Sequence, residues 1–165
     1  MSCENIYAVV AFSGTGKTTL LEKLIPLLKG CGMRVAVVKH DAHEFDIDKE
    51  GKDSWRVTKA GADVTVVASD THAAIMENRP VSFEELLGKI DNVDIIIAEG
   101  YKHKNIKKIA LRRAANNKPF PVPPNECIAV MSDIPEKTDV PFFDLDDAES
   151  LAELIVSDMG WSRID

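Results

Sequence analysis

The amino-acid sequence predicts a three-layer α/β fold with a mostly parallel sheet. Short apolar runs rich in β-branched residues, such as residues 35–38 and 93–98, alternate with segments whose apolar residues recur at helical spacing. Of the 165 residues, 45% are hydrophobic and 28% are charged. A chain of this length is sufficient for one domain with a sizeable core and too short for two ordinary ones. We therefore expect residues 1–165 to form a single domain.

The loop after the first predicted strand carries the most informative motif. The apolar run Ile6–Val10 is followed by residues 11–18, with the sequence A-F-S-G-T-G-K-T. This strand–loop–helix arrangement is typical of a phosphate-binding P-loop, G-x-x-x-x-G-K-[ST]. Glycines let consecutive N–H groups face a phosphate, while the lysine supplies a positive charge and the hydroxyl a Mg²⁺ ligand. The fold is therefore predicted to be P-loop NTPase-like.

The P-loop is predicted to bind a nucleoside triphosphate together with Mg²⁺. Its predicted nucleotide-binding residues are Ser13, Gly14, Thr15, Gly16, Lys17, Thr18 and Thr19. We expect Lys17 to meet the β- and γ-phosphates and so to take part in catalysis, and Thr18 to bind Mg²⁺. Ala11 replaces the first glycine of the motif, which is tolerable if its φ stays below zero.

The helix that follows the P-loop is predicted from the spacing of its apolar residues. Its apolar stripe consists of Leu21, Leu24, Ile25 and Leu28. Gly30 and Gly32 are expected to end this helix, and residues 35–38 then form a predicted buried strand. Two strands joined by a helix give a right-handed βαβ unit with a parallel pair.

The middle of the chain is predicted to contain two short helices and two strands. Asp53 is expected to cap a helix that ends at Gly61, and strands are predicted for residues 64–68 and 71–76. Residues 82–90 form the second predicted helix, which begins with the capping box S-F-E-E.

The last part of the chain is predicted to complete the sheet. Residues 93–98 form the most apolar run and are therefore expected to be a central strand. Strands are also predicted for residues 106–113 and 127–131, separated by a proline-rich extended loop at residues 114–125. A final helix is predicted for residues 147–159.

Two residues at the end of the predicted central strand are candidate functional groups. Glu99 and Gly100 follow residues 93–98, a strand that in this fold can lie beside the P-loop strand. A carboxylate there can hold Mg²⁺ or orient an attacking water in catalysis, and the Gly100 N–H could contact a γ-phosphate. A solvent-exposed glutamate at the start of a turn is the alternative.

The polar segment at residues 40–53 follows the second predicted strand, at the edge where open α/β sheets bind ligands. Asp46 and Asp48 are candidate Mg²⁺ ligands, whereas the spacing of His40 and His43 does not match a structural zinc site. A solvated loop is the alternative interpretation of this segment.

Asp133 is a candidate for reading a guanine base. It follows the predicted strand at residues 127–131, and a carboxylate can accept hydrogen bonds from guanine N1–H and N2–H₂ together. The Asn-Lys pair that usually precedes such an aspartate does not occur here, so Asp133 could equally cap a turn before Pro135.

Six of the chain's 20 lysines and arginines lie within residues 102–113. Together with His103, they could bind a second anionic ligand or an acidic partner surface. A solvated edge strand protected by lysines is the alternative.

Charge and cysteine content exclude several classes of protein. The net charge of −7 argues against a general binder of nucleic acids or anionic membranes, because both need a positive surface. Three cysteines without metal-ligand spacing suit a reducing compartment. The sequence shows neither a signal peptide nor an apolar run long enough to span a membrane. We therefore expect a cytoplasmic protein that binds neither nucleic acids nor membranes.

These motifs together resemble the molybdopterin-guanine dinucleotide biosynthesis protein B (MobB) family. The matching segments, within roughly residues 6–112, are residues 13–19, Lys39-His40, His43, Asp46-x-Asp48, residues 51–54, residues 59–62 and the run E-G-Y-K-H at residues 99–103. The last run is similar to the family's Glu-Gly-Phe-Lys-His. This combination is far more specific than the P-loop alone.

The resemblance implies a GTP-binding accessory protein in molybdenum cofactor biosynthesis. The family is dimeric, hydrolyses GTP weakly and acts as an adapter with the guanylyltransferase MobA, which attaches a guanine nucleotide to molybdopterin. The candidate contacts to the pterin phosphate or to the partner are then His40, His43, Lys52, Asp53, Lys102, His103 and Arg112.

Two other functions are alternatives to this interpretation. A small-metabolite kinase would transfer the γ-phosphoryl group to an acceptor, although the sequence shows no dedicated arginine-bearing lid insertion. A metal-delivery GTPase would be expected to carry a cluster of cysteines or histidines. This sequence offers only the pair His40 and His43 in that role.

Overall fold

The structure, a computed structural model, describes residues 5–40 and 47–162, and the chain divides into two compact units. The first unit comprises the residues up to His40 and those from Asn92 onward, and the second comprises the residues between them. The prediction of a single domain stays a prediction. Among the described residues, no helix has both the length and the apolar character needed to span a membrane.

The described elements follow the predicted alternation of strands and helices. The strands are β1 (Ile6–Val10), β2 (Val35–Lys39), β3 (Val64–Ala68), β4 (Ala73–Glu77), β5 (Ile95–Glu99), β6 (Lys107–Arg112), β7 (Ala129–Ser132) and β8 (Phe142–Phe143). The α-helices are α1 (Lys17–Gly30), α2 (Asp53–Lys59), α3 (Phe83–Gly88) and α4 (Ala148–Asp158). Two short 3₁₀ turns, Ala114–Asn116 and Pro124–Glu126, interrupt the segment that was predicted to be an extended loop.

The first unit contains a six-stranded sheet in the order β2–β5–β1–β6–β7–β8. All five strand pairs in this sheet are parallel. The predicted parallel sheet is therefore confirmed, and the apolar strand β5 is indeed central and adjacent to β1. Because all strands run in the same direction, every loop that leaves a carboxyl end emerges at one edge of the sheet.

Both faces of the central strands are buried, as expected for the middle layer of an α/β fold. On one face, Tyr7 and Ile97 belong to the same hydrophobic cluster as Leu24 of α1 and Leu151 of α4, and none of these side chains is measurably exposed. Side chains that point to the other face are also fully or almost fully buried, namely Ala8, Ile96, Ala98, Ala110 and Val130. Burial of this apolar surface is the main force that holds the sheet and helices together.

Three polar groups join helix α4 to the amino edge of the sheet. The Tyr7 hydroxyl donates to Asp158 Oδ2 at 2.6 Å, and Lys107 Nζ donates to the same oxygen at 2.6 Å. The Lys107 ammonium also lies 5.2 Å from the centre of the Tyr7 ring. Burial, followed by the hydrogen bond to Asp158, raises the pKa of Tyr7 well above its usual range.

A second ion pair closes the same edge between β2 and β5. The Arg34 guanidinium lies 3.1 Å from Asp94 Oδ1, and the Arg34 backbone N–H donates to Asp94 Oδ2 at 2.7 Å. The hydrogen bonds from Arg34 hold the pKa of Asp94 below its usual range.

The second unit contains helices α2 and α3 and an antiparallel hairpin of β3 and β4. The predicted cap of α3 is confirmed, because the Glu85 N–H donates to Ser82 Oγ at 3.1 Å. The prediction that Asp53 caps α2 is wrong, since the cap position is Lys52 and Asp53 is the first helical residue. On the hairpin, the paired residues Val66 and Ile75 are 61% and 69% exposed, which leaves one apolar face in contact with solvent.

Strand β2 is less buried than predicted because it is the outermost strand of the sheet and has a neighbouring strand on one side only. Only Val38 is buried in this strand, and Val37 is 45% exposed. Strand β8 was not predicted, since two residues are too few to produce a recognisable alternation.

Candidate functional site

The P-loop leaves the carboxyl end of β1, at the centre of the sheet, and leads directly into α1. Gly14 has a φ of +74° and Gly16 has a φ of +112°, a left-handed conformation that side chains rarely adopt. Gly16 occupies the cap position of α1, and its carbonyl accepts the Leu20 N–H at 2.9 Å. The helix therefore starts at the loop, and its positive end lies where an anion would bind.

The predicted P-loop residues differ strongly in their exposure. Ser13, Gly14, Thr18 and Thr19 are exposed, whereas Thr15 is buried, with 2% of its surface accessible. A Cβ placed on Gly14 would meet no atom within 4 Å, so no side chain fills the loop at this point. The loop is therefore open at Gly14, where a phosphate group could approach.

Lys17 and Ala11 lie at the two ends of the loop. Lys17 Nζ donates to the Ala11 carbonyl at 3.4 Å, so the ammonium group reaches across the loop. The described non-glycine residues with positive φ are Asn92, Tyr101 and Asn117. Ala11 is therefore not in the left-handed region, as its replacement of the usual glycine requires.

Glu99 ends β5 at the carboxyl edge, directly beside the P-loop strand. Its Cα pairs with Val9 of β1 on one side and Lys39 of β2 on the other. The next N–H, of Gly100, donates to the Val9 carbonyl at 3.0 Å. The Gly100 N–H could donate to a γ-phosphate only if its hydrogen bond to the Val9 carbonyl were broken.

His40 and Tyr101 form an aromatic contact beside Glu99. The His40 N–H donates to the Glu99 carbonyl at 3.0 Å, and the His40 and Tyr101 ring centres are 5.2 Å apart. Gly100 and Tyr101 both have positive φ, of 92° and 54°, and such strain in a non-glycine residue is often found at functional sites. Burial raises the pKa of the Tyr101 hydroxyl. Tyr101 was not predicted to be a site residue and occurs in the sequence only as part of the run E-G-Y-K-H.

The ends of β6 and β7 place Arg113 and Asp133 near the P-loop. Arg113 Nε donates to the Thr15 carbonyl at 3.0 Å, and Asn116 Nδ2 donates to Thr15 Oγ1 at 3.1 Å. Asp133 Oδ1 accepts the Ala114 N–H at 2.7 Å, and Asp133 Oδ2 lies 4.0 Å from Arg113 Nη1. One oxygen of the proposed guanine reader is therefore engaged by the backbone in this structure.

Arg113 and Asn116 were given no individual role by the sequence analysis. They contact a residue about one hundred positions earlier, with sequence separations of 98 and 101 residues. The available signal was their position immediately after a strand that, as it proves, lies next to β1. Residues at the carboxyl ends of adjacent parallel strands share one edge of the sheet.

The basic residues within 102–113 do not form one surface. Lys107 lies at the amino edge with Asp158, and Lys108 is buried, with only 8% of its surface exposed. The Arg112 guanidinium pairs with Glu136, and its Nε donates to the Lys118 carbonyl at 3.1 Å. Lys107 and Arg112 therefore lie at opposite edges of the sheet, and binding of a second anionic ligand by this stretch stays a prediction.

The other candidate contact residues lie in different parts of the chain. Lys102 and His103 are exposed and follow β5 in the first unit. Asp48, Lys52 and Asp53 belong to the second unit. Asp48 accepts the Lys49 N–H at 2.8 Å, while its other carboxylate oxygen is buried without a hydrogen-bond partner among the described residues. His43 and Asp46 lie outside the described residues.

The residues beside the P-loop are chemically suited to Mg²⁺. Within the described part of the chain, no group of three or more His, Cys, Asp or Glu side chains is arranged to hold a metal. Mg²⁺ needs fewer protein ligands, since it keeps waters and is bound by one or two protein oxygens together with phosphates. The exposed Thr18 hydroxyl and the Glu99 carboxylate are oxygen donors of this kind at the same edge of the sheet.

Comparison with known proteins adds independent evidence. The family model described as Molybdopterin guanine dinucleotide synthesis protein B matches residues 6–133. The molybdopterin-guanine dinucleotide biosynthesis adapter protein of Escherichia coli (strain K12) is 43% identical over 159 residues, which cover 92% of this chain and 91% of that protein. The protein of the same name from Haemophilus influenzae is 39% identical over 154 residues, which cover 91% of this chain and 86% of the relative.

A solved structure has the same fold over nearly the whole chain. The crystal structure of Bacillus subtilis MobB superposes with a TM-score of 0.76 at 26% sequence identity. The match covers 93% of this chain and 97% of that chain.

Proposed function

Because the chain belongs to the molybdopterin guanine dinucleotide synthesis protein B (MobB) family, we propose that it is a GTP-binding adapter that assists formation of molybdopterin guanine dinucleotide. The adapter role in molybdenum cofactor biosynthesis is inferred from two relatives that are named as such adapters. The chain matches both of them over most of their length. The nucleotide is the part of the proposal that the site itself supports.

The observation that carries the proposal is the P-loop at the carboxyl end of β1. An accessible glycine turn, a helix that begins directly behind it and the Lys17 ammonium are the three features that bind a phosphate tail. GTP is favoured over ATP because the reaction in which the relatives are named involves a guanine nucleotide, and Asp133 offers a carboxylate at the same edge.

We assign slow GTP hydrolysis to the same site. When bound, Mg²⁺ would neutralise charge on the β- and γ-phosphates, with Thr18 and Glu99 as its protein ligands. We also propose that Glu99 orients the attacking water, a role supported by the pairing of its Cα with Val9 of the P-loop strand. Water would attack the γ-phosphorus and release GDP and phosphate. The Gly100 N–H could contribute only after leaving the Val9 carbonyl, which is consistent with slow hydrolysis.

The partners of the adapter are proposed from its family and its surfaces. We propose the guanylyltransferase MobA as the protein partner, with molybdopterin contacts from the exposed residues Lys102 and His103 and from His40. A homodimer is supported by the exposed apolar pair Val66 and Ile75 on the hairpin, since an isolated two-stranded hairpin is only marginally stable in water. We also propose a cytoplasmic location.

Two measurements test this function. Calorimetric titration with GTP and with ATP in the presence of Mg²⁺ should show saturable binding that is tighter for GTP. A pull-down with the tagged chain and GTP, from cells that make the cofactor, should enrich guanylyltransferase activity. Lack of triphosphate binding would remove the nucleotide from the proposal, and rapid phosphoryl transfer to an added metabolite would favour the kinase alternative.

A further inference from the structure

The turn after β6, residues 113–118, contacts the P-loop through three side chains. Arg113 donates to the Thr15 carbonyl at 3.0 Å, and Asn116 donates to the Thr15 hydroxyl at 3.1 Å. Lys118 Nζ lies 4.9 Å from the centre of the Phe12 ring. We call these six residues the β6 turn. These three contacts join the P-loop to a segment about one hundred residues away in the sequence.

We propose that Arg113 is a positioning residue that orients the P-loop for binding a nucleotide phosphate. The inference rests on the proposed nucleotide binding and adds a residue to which the P-loop motif assigns no role. The Thr15 carbonyl and the Gly16 N–H belong to one planar trans peptide group, so they point in opposite directions. By holding the Thr15 carbonyl on one side of this peptide group, Arg113 fixes the direction of the Gly16 N–H on the other side, and N–H groups of this kind are what a P-loop offers to phosphate oxygens.

The approach of Arg113 to the loop is close. A Cβ placed on Gly16 would lie 3.2 Å from Arg113 Nη2, which is tighter than ordinary contact. The guanidinium therefore packs directly against the peptide that it orients, in addition to donating to it. Gly16 is required by its φ of +112°, and a side chain at this position would also press against the Arg113 guanidinium.

The β6 turn is itself fixed by neighbouring groups. Asp133 accepts the Ala114 N–H at 2.7 Å and lies 4.0 Å from Arg113 Nη1. Arg112 donates to the Lys118 carbonyl at 3.1 Å, which closes the far end of the turn. These contacts hold Arg113 in place from β7 and from within the turn. Asp133 thus acts on the P-loop through Arg113, independently of any contact with a base.

Substitution of Arg113 tests this role. Arg113→Ala removes a hydrogen bond from a charged donor to the P-loop. We expect this variant to bind GTP and GDP about tenfold more weakly, because both nucleotides carry a β-phosphate. The matched control is Arg34→Ala, which removes an arginine paired with an aspartate at the opposite edge of the sheet. The control should bind both nucleotides like the unsubstituted protein.

Ionic strength separates positioning from simple attraction by charge. A charge effect weakens as salt screens it, whereas the loss from a misplaced amide should persist between about 0.05 M and 0.5 M salt. Arg113→Lys keeps the charge but lacks the planar guanidinium group, so we expect this variant to bind GTP and GDP as weakly as Arg113→Ala does. Full affinity in Arg113→Lys, or a deficit that vanishes at high salt, would overturn the proposal.

Amide resonances of the nucleotide-free protein provide a test that does not depend on GTP. In Arg113→Ala, the Gly16 and Lys17 amide signals should shift, whereas in Arg34→Ala they should not. Unchanged signals in Arg113→Ala would overturn the positioning role even if the wild-type protein bound no nucleotide. Absence of GTP binding by the wild-type protein, with shifted signals in the variant, would instead contradict the proposed function alone.

Discussion

The two edges of the six-stranded sheet use similar charged residues for different purposes. At the amino edge, the carboxylates of Asp94 and Asp158 each receive hydrogen bonds from a cation and from a second donor. At the carboxyl edge, Lys17 and Arg113 donate instead to backbone carbonyls of the P-loop. At the amino edge the cations therefore bond carboxylates, whereas at the carboxyl edge Lys17 and Arg113 bond the backbone of a loop that can bind an anion, and Arg113 also lies 4.0 Å from Asp133.

This difference separates stability from function within one unit. A paired carboxylate at the amino edge fastens elements that are already packed, and nothing there requires a ligand. Lys17 bonds a carbonyl rather than a carboxylate, so this bond leaves its positive charge uncompensated, which favours the arrival of a phosphate. Substitutions at the amino edge should thus change unfolding, and substitutions at the carboxyl edge should change nucleotide binding.

The largest effect is expected for Lys17→Ala at the carboxyl edge. Removing a cation from a bound phosphate should weaken GTP binding at least about a hundredfold, or about 3 kcal/mol. Calorimetry measures the affinity, and urea unfolding should show an almost unchanged midpoint. Lys29→Ala, in the exposed last turn of the same helix, is the control for loss of one charge. Equal affinities in the two variants would remove Lys17 from the site.

The next effect is expected at the amino edge, in Asp158→Ala. The variant leaves the hydroxyl of Tyr7, a residue with no measurable exposure, without its acceptor and should lower the free energy of unfolding by about 2–3 kcal/mol. Urea denaturation measures this loss, and GTP affinity should not change. In a Tyr7→Phe background the same substitution should cost less, because the unpaired hydroxyl is gone. An equal cost in both backgrounds would contradict the role of the hydroxyl.

The Asp158 carboxylate at the amino edge should make the free energy of unfolding depend on pH in the acid range. Burial alone would raise the pKa of Asp158, but hydrogen bonds from Lys107 and Tyr7 outweigh it and hold the pKa below its usual range. A carboxylate with a lowered pKa in the folded state stabilises the protein above its unfolded pKa, and this contribution is lost as pH falls through the folded value. The free energy of unfolding should therefore decrease below about pH 4.

Asp158→Asn should flatten part of this acid dependence, because the amide does not titrate. Comparing urea unfolding of the two proteins between neutral and acid pH isolates the contribution of Asp158. Parallel pH profiles would show that other carboxylates cause the acid loss.

The sequence predicted the central parts of the fold better than its edges. Strands β1 and β5 and helices α1 and α4 were predicted within a few residues, because their apolar spacing is long and regular. The exposure of β2 was not predicted, since its edge position depends on the order of the strands rather than on its own residues. The cap of α2 was misplaced by one residue because Asp53 has a side chain typical of a cap, whereas the cap position is occupied by Lys52, whose side chain makes no capping hydrogen bond.

The candidate site shows the same limit. The P-loop could be predicted because all its residues are consecutive and its chemistry fixes their types. The contacts of Arg113 and Asn116 could not, since they depend on β6 lying beside β1. In the basic stretch, proximity in the sequence suggested one surface, but β6 runs from the amino edge, where Lys107 lies, to the carboxyl edge, where Arg112 lies.

The smallest effect is expected for Asp133→Asn, which distinguishes two roles at the carboxyl edge. If Asp133 mainly holds the β6 turn, the amide still accepts the Ala114 N–H but no longer attracts Arg113, so GTP and ATP should both bind a fewfold more weakly. If its carboxylate recognises guanine, the binding of GTP should weaken and the binding of ATP should not. Because Asp133 Oδ1 is already bonded to the backbone, we expect parallel losses in calorimetric titrations with the two nucleotides. A loss confined to GTP would assign Asp133 to the base and leave Arg113 to orient the P-loop without it.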